Sequence, residues 1–580
     1  MFLPTTKEEI RSLGWDAPDI IIVTGDAYID SPYIGAAVIG RVLANDGFRV
    51  GIIAQPAIEG PDDILRLGEP KLCWGITSGS IDSMVANYTP LKKKRMRDDL
   101  TAGEVNTRRP DRALIVYSNL IRRHQTGTVP IVLGGIEASL RRVAHYDYWN
   151  NRIRRSILFD TRADLLVYGM GERAIIEIAR TIRDGSSTHS IPGTCRIGRE
   201  APQNYILLPS FEDVTADDRS FERMFKLFAA NSEYPTARGL VQRHGDRLLI
   251  HNPPQPPLST QELDRVYSLP YERDVHPHYA RQGKVRAMDT IRFSITSHRG
   301  CYGSCNFCAI ALHQGRTVIS RTARSIVEEA KHLTALKGFK GFIHDVGGPT
   351  ANMYGFECHK KLQHGPCADR RCLYPDVCKE LRPDHAPQTA LLGMLRRIPG
   401  VKKVFVASGA RFDLIMADKR NGRRYLEELV RHHVSGQMKI APEHCVDTVL
   451  STMGKPAAKH LIRFRGLFNE LNARSGKKQF LTYYFIAAHP GCTLGHMQAL
   501  RDFAAGELKH FPEQVQIFTP TPSTFSTLMY YTGRNPFTGK ALFVERDMRR
   551  KQQQKNMLTR RAASPGGRTS KTPPRLRRKR

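Results

Sequence analysis

The feature that most narrows what this chain can fold into is a repeated alternation. Short β-branched runs alternate with stretches of helical periodicity, in two separate series. The first series places expected strands at residues 20–24, 50–54, 72–77, 113–117, 129–133 and 164–168. Between the first two strands, Ile34, Val38, Val42 and Leu43 recur at helical spacing, and Gly47 stands beyond them as a stop signal. Residues 172–184 repeat the pattern with Ile175, Ile178, Ala179 and Ile182 before Gly185. Such alternation implies a parallel α/β sheet, because parallel neighbours need helical crossovers. A second series places strands at 291–296, 342–345, 404–407, 438–441, 480–486 and 514–518. Ser325-Ile-Val-Glu328 has the form of a capping box ahead of an apolar face. Six strands with long helical intervals predict a partial (β/α)6 barrel.

A chain of 580 residues is too long for one hydrophobic core. The expected organisation is a Rossmann-like N-terminal domain over 1–200, a connector over 201–288 with the extended run Pro253-Pro-Gln-Pro-Pro-Leu258, and the barrel over 289–545. Residues 546–580 carry 14 Lys/Arg and one acid with no apolar periodicity, and are expected to be a disordered basic tail. A hydrophobic share of 41% excludes disorder of the whole chain. No window approaches the ~18 apolar residues of a membrane span, and the first ten residues carry acids and Pro in place of a signal peptide's apolar stretch. The expectation is a soluble, cytoplasmic protein with no membrane partner.

Eleven cysteines, an odd number in such a chain, argue against a disulfide framework. Seven fall between Cys301 and Cys378. Cys301-Tyr-Gly-Ser-Cys305-Asn-Phe-Cys308 lies directly after the first strand of the second series. Three thiolates this close can hold one metal centre, yet they leave a tetrahedral zinc or a cubane one ligand short. Structural zinc closes its set of four, whereas a reactive centre gains from an open position. The count therefore favours iron–sulfur over zinc.

This loop resembles the cluster motif of the radical S-adenosylmethionine (SAM) superfamily. The resemblance implies that Cys301, Cys305 and Cys308 hold three irons of a [4Fe–4S] cluster whose fourth iron binds SAM. Reductive cleavage of SAM would then yield a 5′-deoxyadenosyl radical, with a low-potential donor such as flavodoxin or ferredoxin supplying the electron. Asp345-Val-Gly-Gly-Pro-Thr350 stands where the superfamily's Gly-Gly-Glu motif does, with Pro349 in place of the acid. The same likeness makes Gly347, Gly348, Ser408, Arg411 and Glu443, all after barrel strands, candidate SAM contacts. The segments Asn252–Leu258, Leu269-Pro-Tyr271, His276-Pro-His278, Ala488-His-Pro-Gly-Cys492 and Phe518-Thr-Pro-Thr-Pro-Ser523 narrow the likeness to the YgiQ-type radical SAM proteins. That family implies no particular substrate.

The N-terminal region resembles the cobalamin-binding-like domain that often precedes such barrels. Leu133-Gly-Gly-Ile-Glu-Ala-Ser139 and Tyr168-Gly-Met-Gly-Glu172 follow consecutive expected strands, where such folds bind ligands. The loop Gly25-Asp-Ala-Tyr-Ile-Asp-Ser-Pro32 lacks the Asp-x-His-x-x-Gly ligand motif, so cobalamin binding is not expected. A second cysteine group, Cys358, Cys367, Cys372 and Cys378, suggests zinc, an auxiliary iron–sulfur centre or unliganded thiols. The net charge of +32, with the run Lys92–Arg97 and the basic tail, would suit nucleic acid or merely a solvated surface. Two other functions compete: a methylthiotransferase-like or methyltransferase-like enzyme on RNA or protein, suggested by residues 485–493, and a noncatalytic, metal-stabilised nucleic-acid-binding protein.

Overall fold

The structure, a computed structural model, describes residues 1–509, 512 and 514–559. Its first unit is built on a nine-stranded sheet. The strands are β1 (Ile20–Thr24), β2 (Val50–Ala54), β3 (Cys73–Thr77), β4 (Ile131–Gly134), β5 (Leu165–Val167), β6 (Thr194–Gly198), β7 (Ile206–Leu208), β8 (Leu240–His244) and β9 (Arg247–His251). Their spatial order is 7-8-9-6-5-4-3-1-2. The five strands from β5 to β2 are parallel, with Ile20 opposite both Val50 and Cys73 and Trp74 opposite Ile131. β1 and β2 are buried on both faces, which is why Ile-Ile-Ile-Val-Thr reads as a continuous apolar run with no alternation.

Two expectations fail here. Residues 113–117 are not a strand but the start of helix α2 (Ala113–His124), which follows α1 (Gly35–Asn45) in the chain. Its buried residues Ala113, Leu114, Tyr117, Leu120 and Ile121 follow a 3.6-residue period, and Arg122, Arg123 and His124 fill the last turn, where cations favour the helix dipole. Residues 201–288 are more than a connector. They supply β7, the hairpin β8–β9 and the helix Asp218–Ala230, so the sheet gains a mixed edge beyond the antiparallel β5–β6 pair. The hairpin turns at Gly245, whose φ of +63° is a left-handed conformation that glycine adopts freely.

The second unit carries parallel segments in chain order: β10 (Ser294–Thr296), β11 (Phe342–Ile343), β12 (Asp345–Gly347), β13 (Lys403–Val404), β14 (Gln437–Glu443), β15 (Phe480–Ala487) and β16 (Gln514–Ile517). β10 pairs with β12, β11 with β13, β14 with β15 and β15 with β16, all parallel, and Ala410 bridges to Ile440. The crossover helix α3 (Ala323–Ala335) is capped by Thr322, whose hydroxyl accepts from Ser325 N at 3.1 Å; the helix thus begins two residues before the expected capping box.

The junction of the units is polar as well as apolar. Glu329 on α3 bridges Arg273 and Arg321, and all three side chains are buried. Arg273 also donates to the carbonyls of Arg292 (3.4 Å) and Ser294 (3.3 Å), tying the approach segment to β10. The chain finally returns to the first unit: Phe518, Leu528 and Tyr530 belong to the core on one face of the nine-stranded sheet.

The expected disordered tail is partly a helix, α4 (Met548–Thr559). Lys551, Gln554 and Leu558 are buried on it. Lys551 Nζ donates to Tyr148 Oη (3.3 Å) in the first unit and to Tyr530 Oη (3.0 Å), while Gln554 accepts from Ala488 N at 2.8 Å. Residues 560–580 lie outside the described residues. No helix among the described residues is long and apolar enough to cross a membrane.

Burial pushes six histidines down, His145, His244, His298 and His313 to about 4 and His444 and His489 to about 3. The unfolded chain would hold them near ~6.5. Between that value and the folded pKa the unfolded state binds more protons, so stability is full above pH ~6.5 and falls on acidification by ~1.4 kcal/mol per pH unit per histidine. Thermal melts at pH 7.5 and 5 should differ by roughly 10 °C for a chain of this size. Equal melting temperatures would contradict the buried neutral state.

Candidate functional site

The cysteine loop leaves β10 through a tight backbone crossing. Gly300 has φ +86°, and a Cβ there would stand 2.0 Å from the carbonyl oxygen of Thr317. Gly300→Ala is therefore expected to cost about 1–3 kcal/mol locally. It should lower iron retained after anaerobic reconstitution while leaving the far-UV circular dichroism unchanged; unchanged iron would show that the crossing does not set the loop. Beyond it, Asn306 pins the loop to the helix after β14, donating from N to Met453 O (2.9 Å) and from Nδ2 to Thr452 O (2.8 Å).

The loop brings its thiols together around Gly303. Gly303 N donates to Cys301 Sγ at 3.3 Å, and a Cβ on Gly303 would meet Cys301 Sγ at 3.2 Å and Cys305 Sγ at 3.5 Å. Thr350 Oγ1 lies 3.7 Å from Cys301 Sγ. Burial, with the neighbouring Cys305 and Cys301, pushes the Cys308 thiol up to about 12. A cation bound among these sulfurs would reverse that balance and release the protons. Among the described residues no three His, Cys, Asp or Glu side chains are closed tightly enough to grip a metal ion. A mononuclear tetrahedral site draws its sulfurs to ~2.3 Å from the ion. Three thiols in one loop, with no fourth cysteine in it, are a donor set that would leave one iron of a [4Fe–4S] cluster open.

Arg411 and Glu443 stand with these thiols. Arg411 Nη1 donates to Cys305 Sγ at 3.7 Å, and its guanidinium is held by Asp413, with Nε donating to Asp413 Oδ1 at 2.8 Å. Burial alone would raise the Asp413 carboxyl, but Arg411 outweighs it and holds the group below its usual range. The Arg411 backbone is fixed by Asn352, and Asn352 by His385, whose other nitrogen lies 2.9 Å from Asp418. Glu443 is buried, which raises its carboxyl against the pull of Lys455 Nζ at 3.4 Å.

Gly347, Gly348 and Ser408 instead line a cavity of about 450 Å³ between the two units. This lies within the range of small-molecule and cofactor sites. Gly348 is packed on His298, so a Cβ would meet His298 Nε2 and the His298 carbonyl at 2.7 Å each. Ser408 Oγ donates to Asp345, whose Oδ1 also accepts from the backbone N of Ala407 (2.7 Å) and Ser408 (3.1 Å). The opposite wall is the carboxyl ends of β3, β4 and β5, with Thr77, Gly79, Gly134, Gly135 and Gly169–Glu172. Gly135, at φ +83°, turns so closely that a Cβ would meet Thr77 Oγ1 at 2.4 Å. Here the glycine segments 134–135 and 169–171 meet the second unit.

Polar groups close the seam of the cavity. Arg299 pairs with Glu172 from the other unit and donates from Nε to Tyr267 Oη at 3.1 Å. His313 Nδ1 lies 3.0 Å from Ser139 Oγ. His298 Nε2 and Glu172 Oε2 are buried without a hydrogen-bond partner among the described residues. None of Tyr33, Tyr267, His298, Arg299 and His313, all in the lining, was singled out from sequence. Their signal exists only once the two units are placed together. Cys358, Cys367, Cys372 and Cys378 are also brought together, around a separate chamber of about 40 Å³.

The comparisons follow this division. Residues 2–294 match the family model described as Radical SAM N-terminal, and residues 513–565 match a Domain of unknown function (DUF3362). A UPF0313 protein of Fusobacterium nucleatum is 54% identical over 559 residues, covering 96% of this chain and 98% of that protein. A UPF0313 protein of Thermotoga maritima is 49% identical over 562 residues, with the same two shares. Among solved structures, the radical SAM methyltransferase TsrM of Kitasatospora setae, with cobalamin and a [4Fe–4S] cluster bound, aligns with a TM-score of 0.50 at 16% identity, covering 87% of this chain and 74% of that one. The expectation against cobalamin is withdrawn on this finding. A fold of this kind holds a corrinoid in TsrM.

Proposed function

The chain belongs to the UPF0313 family of YgiQ-type radical SAM proteins, and we propose that it is an enzyme that cleaves SAM reductively at a cluster held by Cys301, Cys305 and Cys308. The observation that carries this is that the segment lining the cavity with Gly347 and Gly348 runs on to Thr350, whose Oγ1 lies 3.7 Å from Cys301 Sγ in the three-thiol loop. A bound [4Fe–4S] cluster would supply the electron that splits SAM into methionine and a 5′-deoxyadenosyl radical.

The chain's own residues do the rest. The three thiolates fix the centre, and Arg411 places positive charge and a donor beside Cys305. Gly347 and Gly348 keep the rim free of side chains, which allows SAM's amino-acid end to lie against the backbone. Ser408 and Asp345 offer a hydroxyl and a carboxylate at the same rim. The Arg299–Glu172 pair braces the two walls against each other, so groups of both units face the same cavity. The substrate would enter from the side of the first unit, between the glycine turns at 134–135 and 169–171.

The test is anaerobic reconstitution with iron and sulfide, followed by dithionite and SAM. The expected product is 5′-deoxyadenosine; its absence beside an intact cluster spectrum would overturn the reading. Adding hydroxocobalamin in a parallel sample asks whether the cavity takes a corrinoid, read from a bound cobalamin spectrum after desalting.

A further inference from the structure

We infer that Cys358, Cys367, Cys372 and Cys378 hold a second iron–sulfur centre, placed to pass electrons to the first. This rests on the catalytic reading above only for its role, not for its existence. All four thiols line one chamber of about 40 Å³ behind the cysteine loop. A structural zinc closes four sulfurs at ~2.3 Å and leaves no room between them. Here there is room for more than a water, which needs only ~10–15 Å³. A polynuclear centre fits this room.

The charge around the chamber agrees. Arg316, Lys360, Lys361, Arg370 and Arg371 line it against one acid, Glu380. Four thiolates around an iron–sulfur core carry net negative charge, which these cations offset. Lys361 is buried and paired with Glu357 at 2.8 Å, and its Nζ also lies 4.8 Å from the Tyr302 ring centroid.

The position assigns the role. Ser304 of the first cysteine loop lines the chamber, while the chamber and the large cavity share no lining residue. Arg371, next to Cys372, donates to Ser304 O (3.2 Å) and Asn306 Oδ1 (2.7 Å). Tyr302, wholly buried, packs in one cluster with Cys301, Cys358, Cys372 and Cys378. Tyr302 thus packs with thiols of both cysteine groups, and the chamber is separate from the large cavity. The step is a single-electron transfer. A low-potential flavodoxin-type or ferredoxin-type donor is oxidised, the second centre is reduced, and it passes that electron to the catalytic cluster.

The test uses the full chain, anaerobically reconstituted. Wild type should bind about eight iron and eight sulfide, and a Cys301→Ala/Cys305→Ala/Cys308→Ala variant about four of each. Reduction of that variant should give an electron paramagnetic resonance signal insensitive to SAM. Zinc without iron in it, or no metal, would overturn the inference. A Cys358→Ser/Cys367→Ser/Cys372→Ser/Cys378→Ser variant should keep about four iron and cleave SAM with dithionite, but lose at least about tenfold with reduced flavodoxin as donor. Equal rates with flavodoxin would overturn the relay. Should the fourfold variant not fold, Cys372→Ser alone should show altered signal shape and the same donor-specific loss. Wild type that holds both centres but makes no 5′-deoxyadenosine would sink the catalytic reading and leave the second centre standing.

Discussion

Alanine at any one of Cys301, Cys305 and Cys308 is expected to lower 5′-deoxyadenosine formation by at least about 10³-fold, a loss of ~4 kcal/mol or more in transition-state stabilisation. The three thiols are one unit, so double and triple variants should fall no further than single ones. Removing one leaves a cluster with two unprotected irons, and the electron needed for SAM cleavage has no fixed source. Cys195→Ala is the control: that thiol is fully buried in β6 of the first unit, and its loss should leave the turnover rate unchanged. Both readouts come from one anaerobic assay with product quantified by chromatography. Graded losses across the three positions, with substantial activity in any, would mean that the loop is not the catalytic centre.

The second large effect is on stability. Glu329→Ala leaves the Arg273 and Arg321 guanidiniums buried without their shared carboxylate. Breaking a buried ion pair by removing one partner costs ~3–5 kcal/mol, because the remaining charge is stranded. Here two guanidiniums lose their shared carboxylate; Arg321 keeps hydrogen bonds to Thr296 O (2.9 Å) and Ser325 Oγ (2.7 Å), but its nearest acid is then Asp264 at 4.0 Å. Since Arg273 ties the approach segment to β10, the loss falls on the junction of the units. Urea unfolding should shift to a lower midpoint and separate into two transitions. Glu329→Gln keeps the hydrogen bonds but not the charge, and should lose less than Glu329→Ala. A single transition at the wild-type midpoint would refute the role of this triad.

What could be read from the sequence follows locality. The cysteine loop was legible because its three thiols lie within eight residues of the chain. Gly347, Gly348 and Ser408 were placed by the same locality: Gly347 ends β12, Gly348 follows it and Ser408 lies shortly after β13. Arg411 and Glu443 were also singled out, yet they stand with the thiols and not in the cavity lining, because their side chains turn toward the loop. The cavity itself could not be read, since half of it comes from β3–β5 and half from β10, β12 and the segment after β13. The helix α4 was hidden by composition. Its only buried apolar side chain is Leu558, and the rest of its buried face is Lys551 and Gln554, whose partners lie some 20 to 400 residues earlier. Helix 113–124 was hidden by its β-branched start, where tertiary packing outweighed local preference.

The contact of α4 with Tyr148 has a consequence for how the molecule comes into being. At ~5–20 residues per second, roughly 10–50 s separate synthesis of residue 294 from that of residue 559. Through that interval the first unit has its sheet but lacks Phe518, Leu528 and Tyr530 from its core and the clasp of Lys551. The cysteine loop is made early in the same interval, when the first unit's wall of the cavity exists and the stretch from Asp345 to Ser408 does not. Its thiols are thus in place for most of the interval before the last helix can clasp Tyr148.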